Sequence, residues 1–253
     1  MRALVVMPTY NEAANIEAAL SAVRVAASEA HVLVVDDGSP DGTADLAEAV
    51  AGRLGSITVM RRNAKGGLGN AYRAGFEWGL RNGYQALVEM DSDLSHDPAA
   101  LPDILGGLGR ANLVIGSRYV PGGSIPQWAW HRRLLSEAGN RYAAVMLGMK
   151  VKDLTSGYRA YDAGTLGRID LGRVRADGYG FQIEMAYRAA RAGATVVEVP
   201  IRFVDRVEGQ SKMSMRTIVE ALVLVTGWGL RRLLSGRGSV PQAVVPQRSD
   251  LPT

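Results

Sequence analysis

The segment HVLVVDDGSPDGT (residues 31–43) decides how the chain folds. Val32 to Val35 form an unbroken apolar run, and Asp36 begins a cluster of turn-forming residues. A strand with one wet face would alternate apolar and polar side chains. A continuous run ended by Asp, Gly and Pro reads instead as a strand covered on both faces. The cover would come from helices, and residues 43–54 supply a helical pattern at once. The same pattern recurs: ALVVM (3–7), ITVM (57–60), QALVEMD (85–91) and NLVIGS (112–117) read as strands. Between them 12–29, 69–82 and 98–108 read as helices. Strands and helices in alternation predict an α/β fold, a doubly wound, mostly parallel sheet flanked by helices. The second half is less regular, with helices at 132–148 and 179–192, a strand at 194–199 and a last, amphipathic helix at 217–234. The expected organisation is one domain over 1–216, that helix, and a disordered Pro-, Ser- and Gln-bearing tail at 235–253.

Composition narrows the function. The chain has 253 residues, within reach of a single α/β domain with a sizeable core. It has no cysteine, which excludes disulfides, thiolate metal sites and cysteine nucleophiles and fits a reducing compartment. The opening MRALVVMPTYNE carries too short an apolar run for a secretory leader. The most apolar segment, ALVLVTGWGL (221–230), falls well short of the roughly 20 residues of a membrane span. Net charge is +4, and it is unevenly placed: residues 202–237 hold seven basic against three acidic residues. Such an end suits an anionic partner, whether nucleic acid, phosphorylated ligand or membrane surface, or else a solvated cationic face.

In a doubly wound sheet, ligands sit beyond the carboxyl ends of the strands. Those ends read PTYNE (8–12), DDGSPDGT (36–43), RRNAKGGLG (61–69) and DSD (91–93). The first has no glycine loop, so the dinucleotide fingerprint is missing where it would count, and no Walker sequence occurs. Asp36 and Asp37 suit a turn, and equally the hydroxyls or base of a nucleotide. Asp91 and Asp93 lie one residue apart. Mg2+ and Mn2+ are commonly held by one or two carboxylates together with substrate phosphates, and a metal on a diphosphate neutralises charge as it leaves. On a rim shared with the other strand ends, this pair reads as such a clasp.

The ordered set PTYNE, VVDDGSPDGT, KGGLGNAYRAG, MDSDLSHDP, GSRY, DLTSGYRAY and FVDRVEGQSK resembles the polyprenol (dolichol) monophosphate mannose synthases, family 2 glycosyltransferases with the GT-A fold. The resemblance spans roughly 3–216. It implies a divalent cation, Mg2+ or Mn2+, with GDP-mannose as donor and a polyprenyl phosphate lipid as acceptor. By the same resemblance Pro8, Tyr10, Glu12, Val35 and Asp37 hold the guanine nucleotide, and Asp91, Ser92 and Asp93 take its diphosphate and metal. Ser95 stands where some relatives place a glutamine ligand. Arg118, Arg132 (or its neighbour Arg133), Arg206 and Lys212 surround the acceptor phosphate and the departing nucleotide.

A phosphate monoester is mostly dianionic at neutral pH, so transfer to it needs no general base. A single in-line displacement with inversion follows, driven by positioning and by cations on the leaving diphosphate. Asp153 is the residue to test if a base were needed, although ordering its own loop suits it better. The competing readings are a UDP-glucose donor, a family 2 transferase acting on a sugar hydroxyl, and a sugar nucleotidyltransferase. Residues 217–234 read as either a packing helix or an in-plane membrane anchor. The expected setting is peripheral, on the cytoplasmic face of the membrane. A separate membrane protein is a candidate recruiter, and no nucleic-acid partner is expected.

Overall fold

The computed structural model describes residues 1–205 and 215–235. Among them, the apolar runs at 3–7, 31–36, 57–60, 85–91 and 112–117 all appear in strands: β1 (Ala3–Thr9), β2 (His31–Asp36), β3 (Ile57–Arg61), β4 (Ala86–Glu89) and β5 (Leu113–Ser117). Two further strands, β6 (Arg159–Asp162) and β7 (Val196–Pro200), complete one sheet of order β3-β2-β1-β4-β6-β5-β7. All neighbours are parallel except at β6, which runs antiparallel to both β4 and β5. The covering helices are α1 (Ile16–Ala26), α2 (Thr43–Leu54), α3 (Leu68–Arg81), α4 (Leu101–Gly107), α5 (Trp130–Leu147), α6 (Ala163–Arg168), α7 (Gly178–Arg191) and α8 (Met215–Leu234).

Each central strand is buried on both faces, as its apolar run requires. In β1, Val6 packs into the core layer that includes Tyr72, Phe76 and Phe181, while Val5 and Met7 enter the layer that includes Ile16, Leu20 and Leu101. Helix α3 lies close on the sheet at Gly75, where a Cβ would come within 2.3 Å of a Val6 methyl. Helix α1 starts later than the helix expected from residue 12. Asn11 adopts a left-handed φ of 59°, and residues 12–15 form a turn that closes on the Glu12 carbonyl.

Strand β6 is the departure from the sequence pattern, since RAYD has no apolar run. Its first residue, Arg159, is completely buried and donates to the carbonyls of Ser156 (2.6 Å), Leu154 (2.6 Å) and Gln182 (2.5 Å). Backbone oxygens therefore replace the water that a guanidinium loses on burial. Glu89 stands opposite Arg159 in the ladder and is also fully buried.

Helix α8 packs on α5 and α7, burying Ala221 and Val225, and its Trp228 stacks on Tyr187 of α7. Its opposite face stays exposed. The helix expected at 217–234 is thus both a packing helix and an amphipathic one. The tail expected at 235–253 lies outside the described residues from 236 onward.

Burial pushes the Glu89 carboxyl up to about 7; Arg159, Gln182 and Tyr161 offset it only in part, and neither carboxylate oxygen has a hydrogen-bond partner of good geometry. A carboxyl whose pKa rises on folding binds extra protons in the native state, so its contribution to stability is lost as pH rises through that value. Glu89→Gln should therefore gain stability over wild type as pH rises from about 5 to about 8, by roughly 1–3 kcal/mol at the upper end. Denaturant unfolding at both pH values measures it, and a constant difference between the two proteins would refute it.

Candidate active site

The carboxyl ends of β1, β2, β4 and β5 open on a cavity of about 450 Å³, where a parallel sheet places its ligands. Pro8, Tyr10, Glu12, Asp37, Asp91, Ser92, Asp93, Ser95, Arg118 and Arg132, widely separated in sequence, all line it. Val35 does not. Its side chain is fully buried in the core, because on a strand covered by helices both faces point into apolar layers. Arg206 and Lys212 lie outside the described residues.

The two aspartates that end β2 divide their work. Asp36 is consumed by its own turn: it accepts from the Thr9 and Ser39 hydroxyls (2.9 and 2.6 Å) and from the Gly38 and Ser39 amides (3.1 and 2.9 Å). Asp37 faces the cavity, where it pairs with Arg62 at 2.5 Å and accepts the Gly66 amide at 2.8 Å. The loop after β3 is thereby pulled over the β2 end. That loop brings Lys65 into the cavity, with its ammonium 4.1 Å from the centroid of the Tyr10 ring. At its end Gly67 has a φ of +88°, and a Cβ there would meet the Asp177 carboxylate at 2.3 Å. The same carboxylate accepts the Gly69 amide at 2.8 Å, capping α3 from the start of α7.

The acidic pair is held from behind. The Tyr72 hydroxyl donates to Asp91 at 3.0 Å; burial, and then the negative field of Asp91 and Glu89, keep that phenol protonated. The Asp91 amide donates to Nδ1 of His96 at 3.2 Å, which fixes the imidazole with that nitrogen unprotonated. Asp93 accepts the Ser95 amide at 3.0 Å, so Ser95 shapes the turn through its backbone. Leu94 takes a left-handed φ of 61° between them, and the 91–95 segment curls so that both carboxylates line the cavity. Among the described residues no three His, Asp or Glu side chains converge as a self-sufficient metal cage. Two carboxylates fit a cation that takes its remaining oxygens from a bound diphosphate.

Across the cavity, Arg118 and Asp153 form a buried bidentate pair. Nε and Nη2 of Arg118 each donate to Asp153 at 2.7 Å, Nη2 also reaches Thr155 at 2.8 Å, and the Arg118 amide adds a third bond to Asp153 at 2.9 Å. Burial alone would raise the Asp153 carboxyl, but the guanidinium overrides it and holds the group below the usual carboxylate range. A base role for Asp153 is therefore set aside: it is ionised, paired and absent from the cavity lining. Nη1 remains as the nitrogen with which Arg118 can meet a ligand. Arg132 lies over the Trp128 ring at 3.9 Å, and both it and the Trp128 indole donate to Asp205. Its neighbour Arg133 instead pairs with Glu137 on the same helix.

Reading the sequence missed several lining residues. Lys65 was visible inside a glycine-rich strand end. Phe203 opens the quoted motif at 203–212, whereas Trp128 and Gln182 carry no local signal, because only the tertiary fold brings them to the rim.

Comparison with known proteins agrees with this architecture. The family model for glycosyl transferase family 2 matches residues 4–169. The chain is 52% identical over 230 residues to the undecaprenyl-phosphate mannosyltransferase of Micrococcus luteus, covering 91% of this chain and 95% of that one. It is 50% identical over 242 residues to the polyprenol monophosphomannose synthase of Mycolicibacterium smegmatis, covering 94% and 91%. Among solved structures, the mannosyltransferase PcManGT of Pyrobaculum calidifontis, in complex with GDP-Man and Mn2+, superposes with a TM-score of 0.65 at 20% identity over 95% of this chain and 66% of that one. Glucosyl-3-phosphoglycerate synthase of Mycobacterium tuberculosis, bound to Mn2+, UDP and its product, gives 0.59 at 22% identity over 95% and 81%. At those identities the structures speak for the fold alone. The family match and the close relatives go further: the chain is a member of glycosyl transferase family 2.

Proposed function

We propose that the protein transfers mannose, with inversion, from GDP-mannose to a polyprenyl phosphate, giving polyprenyl phosphate mannose and GDP. The observation that carries this reading is that groups of opposite charge line one cavity. The Asp91 and Asp93 carboxylates and Arg118, whose orientation is set by a buried ion pair, all line it. Carboxylates suit a cation-bearing diphosphate and a fixed guanidinium suits a phosphate monoester, so the lining matches the two substrates. The near-complete overlap with relatives named for mannose transfer to such lipids supports the choice of sugar and acceptor.

Residues 1–216 serve as the catalytic domain in this reading. Pro8, Tyr10, Glu12 and Asp37 receive the guanine nucleotide, and Asp91, Ser92 and Asp93 receive its diphosphate. Arg118 and Arg132 take the acceptor phosphate; Arg206 and Lys212 join them on the strength of the family resemblance. A divalent cation, Mg2+ or Mn2+, held by Asp91 and Asp93 would supply charge neutralisation on the leaving diphosphate. An oxygen of the acceptor phosphate forms the new bond to the anomeric carbon while the bond to the nucleotide's terminal phosphate breaks. The electron pair leaves with GDP, and no proton changes hands. The protein works at the membrane, on the face that meets the soluble donor.

Incubation with labelled GDP-mannose, a polyprenyl phosphate and Mg2+ or Mn2+ should carry label into the organic phase, with chelation by EDTA abolishing it. Label from UDP-glucose alone would overturn the donor. Asp93→Ala should lower turnover by at least about 100-fold with the fold intact by circular dichroism, and full activity would remove Asp93 from the site. Arg118→Lys should lower kcat/KM for the phosphate acceptor by about 10- to 1000-fold, because a lysine cannot keep the bidentate pair and reach a ligand together. Asp153→Asn should cost roughly 3–5 kcal/mol of stability, since it strands a buried guanidinium. Unchanged stability with abolished transfer would restore Asp153 as a base.

A further inference from the structure

Gln182, on α7, lines the cavity and is only 3% exposed. Its backbone carbonyl accepts Arg159 at 2.5 Å, which holds the residue in place. Its side-chain amide has unfinished business: Oε1 is buried and has no hydrogen-bond partner among the described residues. The amide also offsets part of the burial of Glu89, though only in part. A buried amide oxygen left without a donor is a standing loss of stability, and a leucine or methionine would fill the same volume without it. The terminal torsion of a glutamine is soft, so a small rotation presents either end of the amide to an incoming group. A hydroxyl, which both donates and accepts, suits such a partner.

The space beside this amide exists because residue 157 is a glycine. A Cβ at Gly157 would stand 3.5 Å from Nε2 of Gln182, 3.5 Å from Cε1 of His96 and 3.9 Å from an Asp91 carboxylate oxygen. All three are ordinary contact distances, so the missing side chain leaves a small gap bounded by an amide, an imidazole and a carboxylate. His96 cannot swing in to close it, because its ring stacks on Tyr158 and meets Phe203 edge-on. Gly157, Gln182, His96 and Asp91 all line the cavity. The gap thus borders the carboxylate assigned above to the donor's diphosphate. In a sugar nucleotide the diphosphate is joined to C1 of the sugar, and the hydroxyl on C2 is the one next to that linkage.

We infer that Gln182 reads the C2 hydroxyl of the transferred sugar, and that Gly157 leaves the room this hydroxyl enters. This rests on the reading of Asp91 as the donor's diphosphate residue, and it adds how the sugar itself is recognised. Mannose and glucose differ only in configuration at C2, so an amide placed there separates the two donors. A site built to hydrogen-bond a hydroxyl discriminates against an analogue lacking it, because the buried polar group is then left unpaired. Gln182 moves no proton in this role. Its effect falls on which sugar is held, and the displacement at C1 is left to the cationic groups.

Calorimetry on the full chain with Mg2+ compares GDP, GDP-mannose and GDP-2-deoxymannose. Wild type should bind GDP-mannose more tightly than the 2-deoxy donor by about 10- to 100-fold. Gln182→Met keeps the side chain's length and should bring the two donors within about twofold of each other, with GDP affinity unchanged. In turnover the same variant should lose the preference in kcat/KM, whereas a merely structural role would lower both donors alike. Gly157→Ala is an independent check, since its methyl meets no backbone and needs no left-handed φ. It should weaken both sugar donors by about tenfold or more and leave GDP as in wild type. A Gln182→Met protein that discriminates as wild type does, or a Gly157→Ala protein that binds GDP-mannose as wild type does, would overturn the inference. So would wild type that binds both donors equally, or one that binds UDP-glucose in place of GDP-mannose. If the Gln182-dependent preference is found but no mannose reaches a polyprenyl phosphate, the transfer reading fails while the C2 contact stands.

Discussion

The arrangement of this molecule depends on a charge buried in its sheet. Arg159 begins the one antiparallel strand, β6, and lies between the carboxyl ends of β4 and β5. Because β6 runs against its neighbours, the chain that leads into it arrives at the same rim where the parallel strands deliver their ends. Thr155, Ser156 and Gly157 consequently line the cavity. The guanidinium then pins that approach, by bonding to the carbonyls of Leu154 and Ser156, and ties it to α7 through Gln182. A hydrophobic side chain at 159 could fill the space but could not bond to the three carbonyls that tie this segment to α7.

Fixing that segment also fixes Asp153, and through it Arg118. The Lys152 and Asp153 amides bond to the buried Glu198 on β7, so the carboxylate that orients Arg118 is itself oriented. A buried ion pair of this kind is seldom a large net source of stability, since desolvation offsets most of the attraction. Its consequence here is geometric. With Nε and Nη2 committed, the guanidinium is held in one orientation and Nη1 is left over. Such preorganisation is what transfer to a phosphate asks of a protein, because the reaction needs charges in place and no proton acceptor.

The sheet was legible where strands are apolar on both faces, and illegible at β6 for the reason that makes β6 matter. Residues chosen to hold a buried arginine do not look like a strand, and antiparallel insertion has no signature in a run of four residues. The polar strand ends were legible as a rim because topology alone brings them together. Their individual tasks were not: Asp36 and Asp37 are adjacent and identical in type, yet one organises a turn and the other faces the cavity. Val35, assigned only through the family resemblance, keeps its side chain in the core, so no side-chain contact with the cavity could be read from a doubly covered strand.

Helix α5 joins these two levels. Viewed as a sequence, WHRRLLSEAGNRYAAVML mixes apolar and polar residues without a clear period for a soluble helix, and its exposed Trp130 and Val145 would look like defects. Once the site is placed, the pattern resolves into two stripes with opposite surroundings. The polar stripe continues the chain of contacts from Asp153 through Thr155 to Asn140, and the apolar stripe has no protein to cover it among the described residues. A helix whose hydrophobic face meets solvent loses stability unless something apolar covers that face. The same helix therefore supports Arg118 through Asn140 and Thr155 and contributes Arg132 to the cavity, so its polar stripe is fixed by the site.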